Sequence, residues 1–84
     1  MVKNSIQKMT YDKINDVLYV TFVPDSDSYG DETGGVVLLR DMDTDAITGL
    51  TIFSPKKFKA AREKDLALVA KNTGLQFDLS HVSF

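Results

Sequence analysis

Cysteine is absent from the 84-residue chain. Disulfides, thiolate metal sites and a cysteine nucleophile are therefore excluded. Histidine occurs once, at His81. A catalytic imidazole needs a nucleophile and an orienting carboxylate around it. Ser80 and Ser83 are only chain neighbours in a C-terminal segment, so His81 reads as structural or solvent-facing. No stretch reaches the roughly 20 apolar residues of a membrane-spanning helix, and residues 1–7 lack the apolar run of a secretion signal. The expectation is a cytoplasmic protein with no membrane partner. Basic charge is not in excess either: ten Lys and Arg stand against twelve Asp and Glu, for a net charge of -2 at pH 7. Nucleic-acid binding requires a basic face, so nucleic acid is not expected as a partner. Phosphate-loop, zinc and dinucleotide patterns are missing, and no cofactor is expected.

What is present is ordinary for one small globular domain, with 43% hydrophobic and 26% charged residues. A domain of this size buries only roughly 60% of its unfolded surface. A thin core without covalent staples favours self-association, so a homodimer is expected. Charge is distributed unevenly. Asp25, Asp27, Asp31, Glu32, Asp41, Asp43 and Asp45 face a single cation, Arg40, across residues 25–45. Lys56, Lys57, Lys59, Arg62 and Lys64 face only Glu63 across residues 56–64. Opposed patches of this kind can steer a partner, although solvated surface charge explains most such runs.

The stretch from Tyr11 to Phe22 carries the clearest structural grammar. Turn formers at Asp12, Asn15 and Asp16 separate a first strand, residues 5–11, from a β-rich second strand, residues 17–23. The first has imperfect alternation around Ile6 and Met9 and reads as an edge. In the second, Leu18, Val20 and Phe22 line one face and Val17, Tyr19, Thr21 and Val23 the other, which suits a central strand. Pro24 ends it, because proline cannot donate to a ladder. Residues 25–35 read as an acidic, glycine-bearing loop with Tyr29 as its large apolar group. A third strand at 36–41, an Asp-rich turn and a fourth strand at 46–53 follow, with Gly49 marking a bulge or close approach. Ser54-Pro55 has the form of a helix start. Asp65 falls on the apolar stripe begun by Phe58 and Ala61, which predicts a break near Lys64 and a second helix capped by Asp65. Leu66, Val69 and Ala70 form its buried stripe, and Gly74 its C-terminal cap. Leu75, Phe77 and Leu79 alternate as a short strand or an arm that docks on a partner. The predicted organisation is one α+β domain over 1–84: a four-stranded antiparallel meander of two hairpins (5–53), a helical segment of one helix or two (54–73) packed on one face, and a C-terminal arm (74–84).

Several constellations invite chemistry. Asp25 and Asp27 precede Gly30 as the first, third and sixth positions of an EF-hand loop would, but Tyr29 fills the fifth and Val36 the twelfth, where a bidentate Glu is required. Asp41, Asp43 and Asp45 fail the same test. These residues, chiefly Asp25, Asp27, Asp41 and Asp43, are weak candidates for cation binding, and turn chemistry is the simpler account. Asp12 and Asp16 could form an acid–base pair if one were buried, yet both suit a hairpin turn. The leading expectation is therefore a non-enzymatic interaction module that presents Tyr29, Asp31 and Glu32 to a basic partner protein. The alternative is a small ligand- or divalent-cation-binding protein using the acidic loops.

Tyr11-Asp12, three residues, then Asp16-Val17-Leu18-Tyr19 resembles the opening signature of a small prokaryotic family, the domain-of-unknown-function family numbered twenty-two eighty-three. Its second hairpin, with an acidic turn and a Gly-Ile-Glu-Ile strand, is similar to residues 37–52, where Asp41, Asp43, Ile47, Gly49, Leu50 and Ile52 stand. Ser54 also fits. The resemblance covers roughly residues 9–55. It departs at Ala46, in place of a turn glycine, and at Thr51, in place of the family's Glu, and residues 25–35 and 56–84 look longer or different. The resemblance implies a hairpin-built sheet and no catalytic residues. Some family members resemble the partner half of toxin–antitoxin pairs, which would make this chain antitoxin-like.

Overall fold

A computed structural model describes residues 6–84. Its elements are β1 (Lys8–Asp12), β2 (Val17–Thr21), β3 (Ser28–Thr33), β4 (Val36–Asp41), β5 (Ile47–Phe53) and α1 (Lys59–Thr73), followed by a 3-10 turn at Leu79–His81. The protein is thus α+β with an antiparallel sheet and one C-terminal helix. Ser5, part of the expected first strand, lies outside the described residues, as does most of the N-terminal stretch weighed as a secretion signal.

The sheet has five strands in the order β1-β2-β5-β4-β3, which corrects the expected four-stranded meander in two ways. The acidic stretch predicted to be a loop contains β3, which pairs along its whole length with β4. Gly34-Gly35 joins the two strands as a two-residue hairpin loop with positive φ, 59°, at Gly34 alone, the pattern of a II′ turn. The second correction concerns order. β2 pairs with β5, not with the strand that follows it, so the chain leaves the middle of the sheet and returns at its far edge.

The sheet splits the apolar residues into two sets by strand parity. One face carries the rows Tyr11–Leu18–Ile52–Val36 and Met9–Val20–Leu50–Leu38. Leu18, Leu50, Ile52 and Val36 on this face are fully buried, against Leu66 and Val69 of α1 and against Leu75 and Leu79 of the arm. The arm therefore folds onto its own domain without forming a strand. Phe84 ends edge-on to the Tyr11 ring at 4.8 Å.

One helix, not two, runs through Asp65. Asp65 stays on the inward stripe because it finds donors there: the Gly35 amide at 3.0 Å and the Arg62 guanidinium at 3.1 Å. Arg62 also donates to the Phe53 carbonyl. These bonds fasten the start of the helix to the β3–β4 turn. The helix begins later than Ser54-Pro55 predicts, and Phe58 and Ala61 are exposed. Gly74 closes it at φ 79°, its amide donating to the Ala70 carbonyl at 2.8 Å, as a C-terminal glycine does. Gly49 marks both features predicted for it. The register shifts beside it, leaving buried Thr48 as the extra residue, and a side chain at 49 would begin 2.7 Å from the Val20 carbonyl.

Candidate functional site

Four of the aspartates that invited chemistry, Asp12, Asp16, Asp41 and Asp45, are engaged in turn construction. Asp12 Oδ1 accepts from the Ile14 and Asn15 amides at 3.0 and 3.2 Å. Asp41 Oδ1 accepts from the Asp43 and Thr44 amides at 2.9 and 3.1 Å. Each loop ends four residues on at a left-handed aspartate, Asp16 at φ 52° and Asp45 at φ 62°. Each of those aspartates accepts a tyrosine hydroxyl, Asp16 from Tyr11 at 2.8 Å and Asp45 from Tyr29. The two hairpins thus repeat one device, aspartate, three residues, aspartate, with a tyrosine closing it.

Asp16 does more than its counterpart. Its carboxylate accepts from the Lys56 and Lys57 amides at 3.1 and 3.0 Å, capping the turn that leads into α1. That is the role predicted for the Ser54 side chain. Ser54 instead adopts φ 53°, and its carbonyl accepts from the Phe58 amide at 2.9 Å. Partial desolvation pushes the Asp16 carboxyl upward, but the Lys57 amide, the Tyr11 hydroxyl and the Lys56 amide outweigh it and hold the pKa below the ordinary value. The Asn15 side chain and amide hold Asp12 low. The Asp43 amide and the Ser26 hydroxyl do the same for Asp41. Burial and the Asp16 carboxylate raise the Tyr11 hydroxyl. Carboxylates with lowered pKa values are held ionised, the opposite of what a general acid needs. Among the described residues, no group of three or more His, Asp or Glu is arranged to hold a metal ion. His81 contributes its backbone to the 3-10 turn; the reading of its side chain lies outside the described residues.

The three residues expected to meet a partner, Tyr29, Asp31 and Glu32, do not form one patch. Tyr29 and Asp31 lie on the helix side of β3, Tyr29 bonded to Asp45 and Asp31 paired with Arg40 at 3.3 Å. Glu32 points to the opposite side, across from Val37.

That opposite side is the more distinctive surface. Its rows are Asp12–Val17–Phe53, Thr10–Tyr19–Thr51–Val37–Glu32 and Lys8–Thr21–Gly49–Leu39–Gly30. Among the described residues no helix crosses it, and α1 and the arm pack on the other face. Tyr19 and Phe53 are each 45% exposed. Val37, Leu39 and Thr51 are half-buried. An antiparallel sheet with one solvated face ordinarily alternates apolar-in with polar-out, and here the three central strands present apolar residues, threonine and Gly49, with Lys8, Asp12 and Glu32 confined to the edge strands. Tyr19 belongs to this face as the sequence predicts, whereas Val37, Leu39 and Phe53 were not singled out. Their signal was the lack of polar alternation in residues 36–39 and 51–53, equivalent to that noted for 17–23.

The two ends of the sheet differ in charge, one strongly acidic and the other bearing lysines among aspartates. Asp43 and Asp45 form the β4–β5 turn, and the Met42 amide donates to the Asp27 carbonyl at 3.0 Å, so the two acidic loops meet at one end. Lys56 and Lys57 lie at the other end, beside the β1–β2 turn that holds Lys13 together with Asp12 and Asp16.

Among the described residues, no helix is long and apolar enough to cross a membrane. Compared with protein-family models, curated proteins and solved structures, the chain matches none.

Proposed function

We propose that this chain is a non-catalytic, cytoplasmic interaction module, antitoxin-like in character, that pairs with a second copy through its open sheet face and presents its acidic end to a basic surface. One observation carries the reading: Tyr19, Val37, Leu39 and Phe53 form an uncovered apolar surface on a two-sided sheet. Exposed contiguous apolar surface in a small domain marks an interaction site. Two such faces packed together would make an aligned sandwich about 10 Å between sheets.

Charge selects among the ways of pairing. A twofold axis in the interface and perpendicular to the strands sets the acidic end of one copy over the lysine-bearing end of the other. An axis parallel to the strands would set acid over acid. The first arrangement is favoured, and it satisfies the acidic end with Lys56 and Lys57 of a second copy as well as with any basic partner protein. The turn carboxylates support a non-catalytic role, because their oxygens are taken up by backbone amides and tyrosine hydroxyls.

The same reading groups the chain with domain-of-unknown-function family twenty-two eighty-three. Its support is that the spaced signature residues act together: Asp12 shapes the loop, Asp16 receives the Tyr11 hydroxyl, and Leu18 is buried. The test is solution mass. Sedimentation equilibrium of wild type should give twice the 9.3 kDa chain mass, and Tyr19→Lys should shift the protein to monomer. A dimer unaffected by Tyr19→Lys would overturn the assignment of the face.

A further inference from the structure

On the helix side of the sheet, β1 is an edge strand, pairing only with β2 among the described residues. Beside it opens a cleft of about 560 Å³ between β1, α1 and the arm. That volume lies in the range of sites that take a ligand or an anchoring side chain. Met9, Leu66, Ala70 and Phe77 line it with apolar surface, and Glu63 and Asp78 stand in its wall. Among the described residues Glu63 makes one ion pair, to Lys59 at 4.0 Å, which is exposed and holds its charge only weakly. Strand geometry connects edge and cleft. Any strand added to β1 would direct the residue opposite Met9 to the same face as Met9, which is into the cleft.

We propose that the β1 edge and this cleft together form a docking site for an extended basic-apolar peptide. The peptide pairs with β1 through its backbone, seats one apolar side chain in the cleft, and sets a Lys or Arg two positions along, on the same face of the strand, against Glu63. Backbone pairing supplies affinity, and the pocket and carboxylates supply selectivity. The charge of the wall argues for a cationic segment and against an acidic one. The site lies on the opposite face from the open surface, so it stands or falls independently of the dimer.

The probe is a dye-labelled Thr-Lys-Thr-Leu-Thr-Lys-Thr peptide, whose Leu and Lys share one face of a strand, followed by fluorescence anisotropy, with a Glu-for-Lys version as its counterpart. Saturable binding is expected, at least about tenfold tighter for the Lys version. Ala67 lines the cleft and is exposed on α1. Ala67→Trp should fill the cleft and weaken binding at least about tenfold, and Glu63→Lys, which leaves the cavity intact, should weaken the Lys peptide and strengthen the Glu peptide. Circular dichroism of both variants checks that they fold. The amides of Met9 and Tyr11 should gain exchange protection when peptide is bound. Equal binding of the two peptides, binding indifferent to both substitutions, or binding lost in Tyr19→Lys would each overturn the proposal.

Discussion

Asp16 sits at φ 52°, and its carboxylate accepts from the Tyr11 hydroxyl and from the Lys56 and Lys57 amides. One residue therefore ends the first hairpin loop, ties it to β1 and caps the approach to α1. Asp16→Asn keeps tolerance of the left-handed conformation but replaces an acceptor with a donor facing donors. It should lower the unfolding free energy by about 1–2 kcal/mol in urea titrations, and Asp16→Ala should cost more because alanine also resists that backbone conformation. The pH dependence follows from the same bonds. Asp12, Asp16 and Asp41 hold folded pKa values below ordinary, so the unfolded chain takes up protons first as pH falls. Their contribution is complete above the ordinary carboxylate range and is lost as pH drops through it toward the lower folded values. The thermal midpoint should fall progressively below about pH 5, and Asp16→Asn should flatten that fall. An identical slope in the variant would contradict this account. Tyr11 works in the opposite sense: its raised pKa adds stability below about pH 10 that disappears on further alkalinisation.

At the scale of elements, the helix is held to the sheet by a polar clamp as well as by Leu66 and Val69. Asp65→Ala would leave the Gly35 amide and the Arg62 guanidinium without their acceptor. A loss of about 1–3 kcal/mol is expected, with faster hydrogen exchange at Gly35. Gly49→Ala would drive a methyl to 2.7 Å from the Val20 carbonyl, and β2 and β5 must separate locally to admit it. A cost of about 1–3 kcal/mol in denaturant titration is expected. The same elements show what could be read in advance. β2, β4 and β5 are apolar runs bounded by turn formers, and their periodicity shows in the chain. β3 was hidden because Ser28, Gly30, Asp31 and Glu32 are residues that strands usually avoid, although Gly34-Gly35 is a hairpin dipeptide. Asp65 suggested a helix break because its acceptor role depends on Gly35, thirty residues away. Nothing local in residues 22–27 encodes that β2 lies against β5, since that pairing is decided by tertiary packing. The open face was half legible: Tyr19 stood out in a two-sided strand, while Val37, Leu39 and Phe53 acquire meaning only once strand order aligns them with it.

For the whole molecule, the proposed dimer draws on sheet and charge together. The helix and arm cover one face, and the other presents Tyr19 and Phe53 at 45% exposure each. Acidic loops gather at one end and Lys56 and Lys57 at the other. A dimer with ends opposed should therefore weaken as salt rises, because exposed charges are screened beyond about 10 Å at 0.1 M. A double substitution of Lys56 and Lys57 by Glu should weaken it further and remove most of the salt dependence. Light scattering across a salt series reads both effects. The most direct measurement is sedimentation equilibrium of wild type beside Tyr19→Lys, over a wide concentration range. The account predicts a wild-type mass of twice 9.3 kDa and a variant mass of 9.3 kDa. A wild-type chain that remains a 9.3 kDa monomer at the highest concentration would contradict it.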